Sequence, residues 1–369
     1  MPDRIVTMGA GALSLGFFGP ELRDQYALTF LDVRFKADLV QAINTGRSYA
    51  ANLAGDTLRP IEVQDVDAFL IDDPAQEAAV REHIAQASIF FTAVGMRNFD
   101  SAIGYLAERL KDRTDDVYVL CSENGEDITQ AWREKTPPNI HLLDTVMGRM
   151  CRIEEQAGGD DAPVAPGLGW AVVAEEFYGM PLSDRFANPD VFHSPAFEFV
   201  SDAEFQARDR VKLFAHNGLH CYLAVQGRLR GVERFSDMAG DAEVEGAARA
   251  LLDEEIAAAL WKECGPHLDE GYLRDYFERL PGRLLSTTLR DHVARGIRGL
   301  ADKFAPNERI VGGLGLLLRN GIEPKRYLAF IADALRVARM DEGEEGYQKA
   351  LNCIPQEEIR EEVARRAGE

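Results

Sequence analysis

A glycine-rich turn between a strand and a helix constrains this chain more than any other segment. Arg4–Met8 (RIVTM) reads as a buried strand, residues 9–16 (GAGALSLG) follow at once, and Ala27–Asp32 (ALTFLD) reads as a second strand. In that order Gly9 permits a tight turn, Gly11 lets the backbone approach a pyrophosphate, and the following helix offers its N-terminal amides and positive dipole end. The expected cradle runs through Gly9, Ala10, Gly11, Ala12 and Leu13. Ser14 stands where a third glycine is usual, with Gly16 close behind. Asp32 closes the second strand, where a carboxylate accepts hydrogen bonds from ribose hydroxyls and repels a 2′-phosphate, so the expected dinucleotide is NAD. Arg34 pulls against that preference. The same residues also allow a plainer reading, in which the glycines only make a turn and Asp32 only ends a strand.

Strand and helix patterns keep alternating after the turn. Residues 88–95 (SIFFTAVG), 117–124 (VYVLCSEN) and 140–146 (IHLLDTV) are short apolar runs ending in small or polar residues. They predict a parallel sheet with helices on both faces. Thr92, Val94 and Gly95 end one such strand, and Glu123 and Asn124 end the next, on the carboxyl edge where cofactors bind. Asn124 and Glu123 are therefore expected beside the nicotinamide ribose or the substrate. Residues 155–168 read as a surface loop, and 169–177 (GWAVVAEEF) as a further strand. Past about residue 200 the chain reads as helix. A capping box, Ser201-x-x-Glu204, opens this half, and amphipathic stretches follow near 241–265, 270–280, 286–303 and 324–340. The expected fold is an α/β Rossmann-like domain over 1–200, with a mostly parallel doubly wound sheet, and a mainly α-helical domain over 201–369. The site is expected in the cleft between them.

Composition narrows the partners. A formal charge of −21 repels nucleic acid and anionic membranes, which need clustered Lys and Arg. Any anionic substrate must then meet a local group of basic residues. No apolar run reaches the roughly 18 residues needed to cross a bilayer, and the start has no leader pattern, so a cytoplasmic protein is expected. The five cysteines are widely spaced and include no C-x-x-C pair, which argues against disulfides and a cysteine-held metal. Monomer and dimer both remain open.

The helix that opens at Ser201 carries Lys212, Asn217 and His220 in the run VKLFAHNGLH. At about 100° per residue, Lys212 and Asn217 lie about 140° apart with His220 between them, so the three can converge. A metal-free dehydrogenase needs one group to take the alcohol proton and others to hold the oxygen as it gains charge. Lys212 suits the first task if burial lowers its pKa, and Asn217 and His220 the second. From the spacing alone, a solvated lysine, an ordinary asparagine and an interface histidine are the commoner reading. His216 and His220 have the spacing of H-E-x-x-H, but Asn217 replaces the glutamate a metallopeptidase needs.

The run K-x4-N-x2-H, matched by Lys212, Asn217 and His220, resembles the signature of the polyol-specific long-chain dehydrogenases. Other segments agree: GAGALSLGFFG resembles GAGNIGRGFIG, Thr92 to Gly95 matches TAVG, Ser122-Glu123-Asn124 resembles C-E-N, and DTVMGR at 144–149 resembles D-x-x-x-D-R. Arg283, Asp291, Arg295, Arg298, Lys303 and Arg309 keep the family's C-terminal spacing. The chain's length is nearest the branch acting on mannitol 1-phosphate. The resemblance therefore implies interconversion of mannitol 1-phosphate and fructose 6-phosphate with NAD, with Lys212 as acid/base and no metal. It places Arg149 and Glu175 in substrate-side motifs, beside Glu123 at its strand end. Arg295, Arg298, Lys303 and Arg309 form a locally basic stretch that suits a phosphate or polyol clamp, with Arg298 and Lys303 expected at the substrate, and surface ion pairing is the alternative. Glu175 and Glu176 are expected to hold Lys212 protonated or to accept from a hydroxyl, with a solvated pair as the alternative. Gly179-Met180 stands where the family has Glu-Trp, Gly148 where it has Asp, and Ser286 where it has Asn, so the departures fall on substrate-side motifs. Rival functions are an opine-type dehydrogenase and a non-catalytic NAD sensor, though no helix-turn-helix or basic segment is apparent.

Overall fold

The computed structural model describes residues 3–368 except 124–127, 159–160, 177–178 and 186–188. The chain divides into two compact units, Met1–Phe205 and Gln206–Glu369. The first contains strands β1 (Arg4–Met8), β2 (Ala27–Asp32), β3 (Ser48–Ala54), β4 (Leu58–Gln64), β5 (Val66–Leu70), β6 (Ala87–Thr92), β7 (Val117–Cys121), β8 (Ile140–Asp144), β9 (Cys151–Glu154), β10 (Ala171–Glu175), β11 (Met180–Ser183) and β12 (Phe197–Val200).

Six of these form a parallel sheet in the order β5-β2-β1-β6-β7-β8. Alternate side chains feed two cores, as the two-residue strand period requires. Ile5, Leu28, Phe30, Ile89, Phe91, Tyr118 and Leu120 point into one. Val6, Met8, Leu31, Phe90, Val117 and Val119 point into the other, closed by Val80 and Ile84 of the Glu77–Gln86 helix and by Phe99, Ile103 and Leu106 of the Met96–Leu110 helix. This is the doubly wound α/β arrangement expected. The strand order reverses between β1 and β6, so the turn after β1 and the loop after β6 open at one crevice on the carboxyl edge.

A second sheet, β4-β3-β10-β9, is not apparent in the sequence pattern. β3 and β4 pair as a hairpin from Ser48↔Gln64 to Ala54↔Leu58, and β3 runs parallel to β10. Its strands are hard to see because β3 (SYAANLA) is rich in alanine and β4 holds Pro60, both poor strand signals. Residues 169–177, expected as a strand, contribute β10 to this sheet instead of extending the parallel one. The sheet packs on the helical segment after the glycine turn. A side chain at Gly16 would crowd the Cys151 sulfur and the Val172 and Ala174 side chains, and one at Gly19 would overlap the Tyr49 hydroxyl. That hydroxyl donates to the Leu15 carbonyl at 3.0 Å.

The second unit is helical. The Ser201 hydroxyl accepts from the Glu204 amide at 3.2 Å and so caps the Asp202–Val211 helix, which continues into Lys212–Asn217 and Gly218–Arg230. Further helical segments include Ala242–Leu251, Ala257–Cys264, Glu270–Leu284, Val311–Arg319, Lys325–Asn352 (interrupted at Gly343) and Glu357–Gly368. Residues 286–303, expected as helix, hold only the short Val293–Ile297 helix and the start of a 3-10 turn, Leu300–Phe304. Positive φ at Arg290 (50°) and Gly299 (60°) breaks the amphipathic pattern twice. Among the described residues no helix is long and apolar enough to cross a membrane.

The close approach at Gly19 yields a prediction. Gly19→Ala is expected to lower stability by about 1–3 kcal/mol, the usual cost of overpacking, because Tyr49 is buried and its ring cannot swing away. A urea unfolding curve checks it, and a midpoint equal to the parent's would contradict the packing described.

Candidate active site

Cofactor geometry in the first unit begins with Gly9. Its φ is +95°, and a β-carbon there would lie 2.6 Å from the Ala93 carbonyl oxygen, so only glycine joins the β1 turn to the loop after β6. Its amide donates to the Leu31 carbonyl at 2.7 Å. Gly11 has open space before it, with Ala93 no nearer than 3.9 Å. The first hydrogen bond into the helix runs from the Leu15 amide to the Gly11 carbonyl, leaving the amides of Ala12 and Leu13 ahead of the ladder. Ser14, at the third-glycine position, is buried and donates its hydroxyl to the Gly9 carbonyl, so the departure from glycine braces the turn.

Asp32 is held from both sides. One oxygen accepts from the Ala10 amide and the other from the Val33 amide, both at 2.7 Å. These contacts orient the carboxylate beside the turn and leave it lone pairs for further donors. Arg34 turns to Asp72: its amide donates to the side chain at 2.8 Å and its guanidinium to the Asp72 carbonyl at 3.4 Å. Across the crevice, Gly95 has φ +79° with nothing within 4 Å of its missing β-carbon. The open space at Gly11 and Gly95, with an oriented acid between amides, fits a dinucleotide.

Glu123, buried at the end of β7, accepts from the Thr92 hydroxyl at 2.6 Å and the Val94 amide at 2.9 Å. It therefore shapes the loop that carries Gly95. Arg149 is buried against the cofactor helix, donating to the Gly16 carbonyl, the Glu176 carbonyl and the Glu21 carboxylate, the last at 2.6 Å. Glu175 is buried too and accepts from the Met150 amide at 2.8 Å. Arg149 thus ties the second sheet to the glycine-turn helix, while Glu175 holds the Met150 segment beside it. Asn124 lies outside the described residues.

The second unit holds the Lys212–Asn217 segment, and its local geometry differs from the straight helix expected. It is a π-helix, the wide turn closed by i→i+5 hydrogen bonds. Residues five apart are drawn toward one face in such a turn, so Lys212 and Asn217 align better than a regular helix would allow. Lys212, His216, Asn217 and His220 are all half-buried. Burial pushes the Lys212 ammonium down to about 8; Asp209 opposes the shift and Arg309 adds to it. Burial likewise lowers His216 well below the usual histidine value, reinforced by Arg283, His220, Lys212 and Arg295.

His220 lies 4.6 Å from Phe235 between ring centroids, and its Nε2 lies 3.3 Å from Asp291 Oδ2. Arg295 pairs with the same Asp291 at 2.8 Å. Lys303 donates to the Gly296 carbonyl, and burial lowers its pKa. Arg309 pairs with Glu308 at 3.1 Å. Arg298 is exposed at the end of the Val293–Ile297 helix. Arg283 and Asp291, named in the sequence only for their spacing, and Arg309, a clamp candidate there, thus belong to the surroundings of Lys212 and the two histidines. Their type was visible, but the turns of 286–303 that bring Asp291 in were not. No group of three or more His, Cys, Asp or Glu among the described residues is arranged to hold a metal ion.

Comparison with known proteins agrees with both halves. Family models described as the Mannitol dehydrogenase Rossmann domain and the Mannitol dehydrogenase C-terminal domain match residues 3–138 and 205–366. A mannitol-1-phosphate 5-dehydrogenase of Exiguobacterium sibiricum is 27% identical over 98% of this chain and 92% of its own length. One of Emericella nidulans is 26% identical over 98% and 92%. Among solved structures, Pseudomonas fluorescens mannitol 2-dehydrogenase in ternary complex with NAD and D-mannitol superposes with a TM-score of 0.75 at 14% identity, covering 100% of this chain and 92% of that one. A substrate-free D-sorbitol dehydrogenase gives 0.72 at 15% over the same shares. These two likenesses show the fold.

The two-sided hold on Asp32 makes a test of cofactor choice. Asp32→Ala is expected to weaken NADH binding and narrow the gap between NADH and NADPH, measured by fluorescence titration of each. An unchanged preference would mean that Asp32 only anchors the turn.

Proposed function

Because the chain belongs to the mannitol dehydrogenase family and is an NAD-dependent oxidoreductase acting on CH–OH groups, we propose that it interconverts mannitol 1-phosphate and fructose 6-phosphate. The observation that carries this reading is the depressed pKa of Lys212 within a K-x4-N-x2-H run. A lysine near 8 is divided between amine and ammonium at working pH, as reversible acid/base chemistry requires. The curated relatives named mannitol-1-phosphate 5-dehydrogenase support the choice of substrate.

Gly9, Ala10, Gly11, Ala12 and Leu13 hold the pyrophosphate in this proposal, Asp32 the adenosine ribose, and Thr92, Val94, Gly95 and Asn124 the nicotinamide half. NAD, when bound, supplies the acceptor of hydride in oxidation and, once reduced, its donor in the reverse reaction. Neutral Lys212 takes the proton of the alcohol in oxidation, and the ammonium returns one to the ketose oxygen in reduction. Asn217 donates a hydrogen bond to that oxygen as charge gathers on it. His220 orients the substrate beside it. Lys303 and Arg298 are assigned to the phosphate, with Arg283, Arg295 and Arg309 contributing positive potential in a chain that is otherwise acidic. No metal takes part in these steps. Cytoplasmic location fits a substrate of this class, and Glu123, Arg149 and Glu175 act on substrate position through the loops and helix they brace.

The proposal fixes the direction of the pH dependence. Oxidation needs the amine, so kcat/KM for the polyol phosphate should rise with pH and level off above about 8. Reduction needs the ammonium and should fall through the same range. Lys212→Ala is expected to lose roughly 10²–10⁴-fold in turnover while NADH titration stays as in the parent. An NADH-oxidation screen over ketoses with and without phosphate tests the substrate. Activity confined to unphosphorylated ketoses would remove the phosphate role of Lys303 and Arg298, and retained turnover in the lysine variant would overturn the mechanism.

A further inference from the structure

Asp291 is a buried carboxylate with no assigned role, only 2% exposed, and it sits in a small built cradle. Arg290, immediately before it, has φ +50°, and the bridge Arg234↔His292 pins the residue after it. The Asp291 carbonyl accepts from the Phe235 amide at 3.0 Å, and the Arg234 guanidinium donates to the Arg290 carbonyl at 3.0 Å. Asp291 and Phe235 are thereby held side by side, and both meet His220: the carboxylate at Nε2, the phenyl ring against the imidazole. Gly296 completes the clamp, because a β-carbon there would lie 3.2 Å from His220 Cε1 and 2.4 Å from the Ala224 β-carbon.

An ionised carboxylate only accepts hydrogen bonds. Burial alone would raise the Asp291 carboxyl, but Arg295, His220 and the His292 amide outweigh it and hold the pKa below the usual carboxylate range. The hydrogen between Asp291 and His220 therefore belongs to Nε2 of the ring. Burial, with Arg295 and Lys303, lowers the histidine pKa against the pull of Asp291, so the ring is neutral near pH 7 and its Nδ1 carries a lone pair.

We propose that Asp291 is a positioning residue that locks His220 in the Nε2–H form, so that Nδ1 accepts a hydrogen bond from a substrate hydroxyl. His220 then acts as a fixed acceptor for the alcohol, and polarising the carbonyl oxygen falls to Asn217 and the Lys212 ammonium. This rests on the polyol reading for the identity of the hydroxyl but not for the tautomer, which belongs to the protein alone. The ring faces charge from several elements: Asp291 and Arg295 across the Val293–Ile297 turn, Lys303 from the 3-10 segment, and His216 on its own helix.

The test is nitrogen NMR of the 15N-histidine-labelled full chain, with His220 assigned by its loss in His220→Gln. The expected spectrum at neutral pH shows His220 protonated at Nε2 and bare at Nδ1. In Asp291→Asn the two tautomers should mix, with KM for the sugar substrate raised about 10-fold or more and NADH affinity unchanged. Asp291→Glu should restore the parent tautomer in part. A parent ring protonated at Nδ1 would overturn the proposal even if Asp291→Asn fails to fold. So would an Asn variant that folds with the parent tautomer and KM. A ketose screen without activity would instead strike the polyol reading and leave the tautomer result standing.

Discussion

Partial burial of a small group of positive charges is the constraint on which the electrostatics of the second unit depends. A solvated lysine holds its proton to about 10.4. The net charge of −21 works against lowering that value, because distant carboxylates favour the ammonium. Screening confines that influence to about a Debye length, roughly 8–10 Å at ordinary salt. Within that distance burial and Arg309 outweigh Asp209, and Lys212 comes down to about 8. Burial likewise lowers His216, His220 and Lys303. Asp291 and Glu308 supply the local negative charge that lets Arg295 and Arg309 remain there.

The first unit meets a different demand, which is a backbone that a flat, charged ligand can approach. Gly9 presses on the Ala93 carbonyl, and the next residues, Thr92 and Val94, are held by Glu123 at the end of β7. The β1 turn, the β6 loop and the end of β7 are thus one connected edge. Behind it, Gly16 and Gly19 bring the second sheet against the helix, and Arg149 ties that helix to the same sheet through Glu21 and the Gly16 carbonyl. Removing one partner of such a buried pair costs about 3–5 kcal/mol, so the sheet that the sequence hides is also what keeps the helix in place.

What was legible in the sequence follows the strength of each local signal. β1, β2, β6, β7 and β8 are dense apolar runs between turn residues, and each was apparent, as was the doubly wound class they build. β3 and β4 were not, because alanine and proline give no strand pattern and their pairing comes from packing on Gly16 and Gly19. Lys212, Asn217 and His220 could be picked out by spacing, but the π-helix that aligns Lys212 with Asn217 has no signature a period of 3.6 can show. Residues 286–303 carried an amphipathic pattern that Arg290 and Gly299 override by turning the backbone, and Asp291 reaches His220 only through those turns. A buried acid among arginines is recognisable once its burial is known, and burial was the missing term.

Burial also explains how one segment can hold two histidines and a lysine without competition for the same proton. His216 and His220 both lie below the usual histidine range, so each is neutral where Lys212 is dividing between its two forms. Asp291 then fixes which nitrogen of His220 is protonated, and a neutral ring in one tautomer can hand a proton nowhere near neutral pH. Lys212, brought down to about 8, is the group beside these two neutral rings that divides between its charged and neutral forms. On the proposed reading, a lysine that changes charge beside rings that do not can serve either direction of the reaction, taking a proton as the amine and returning one as the ammonium.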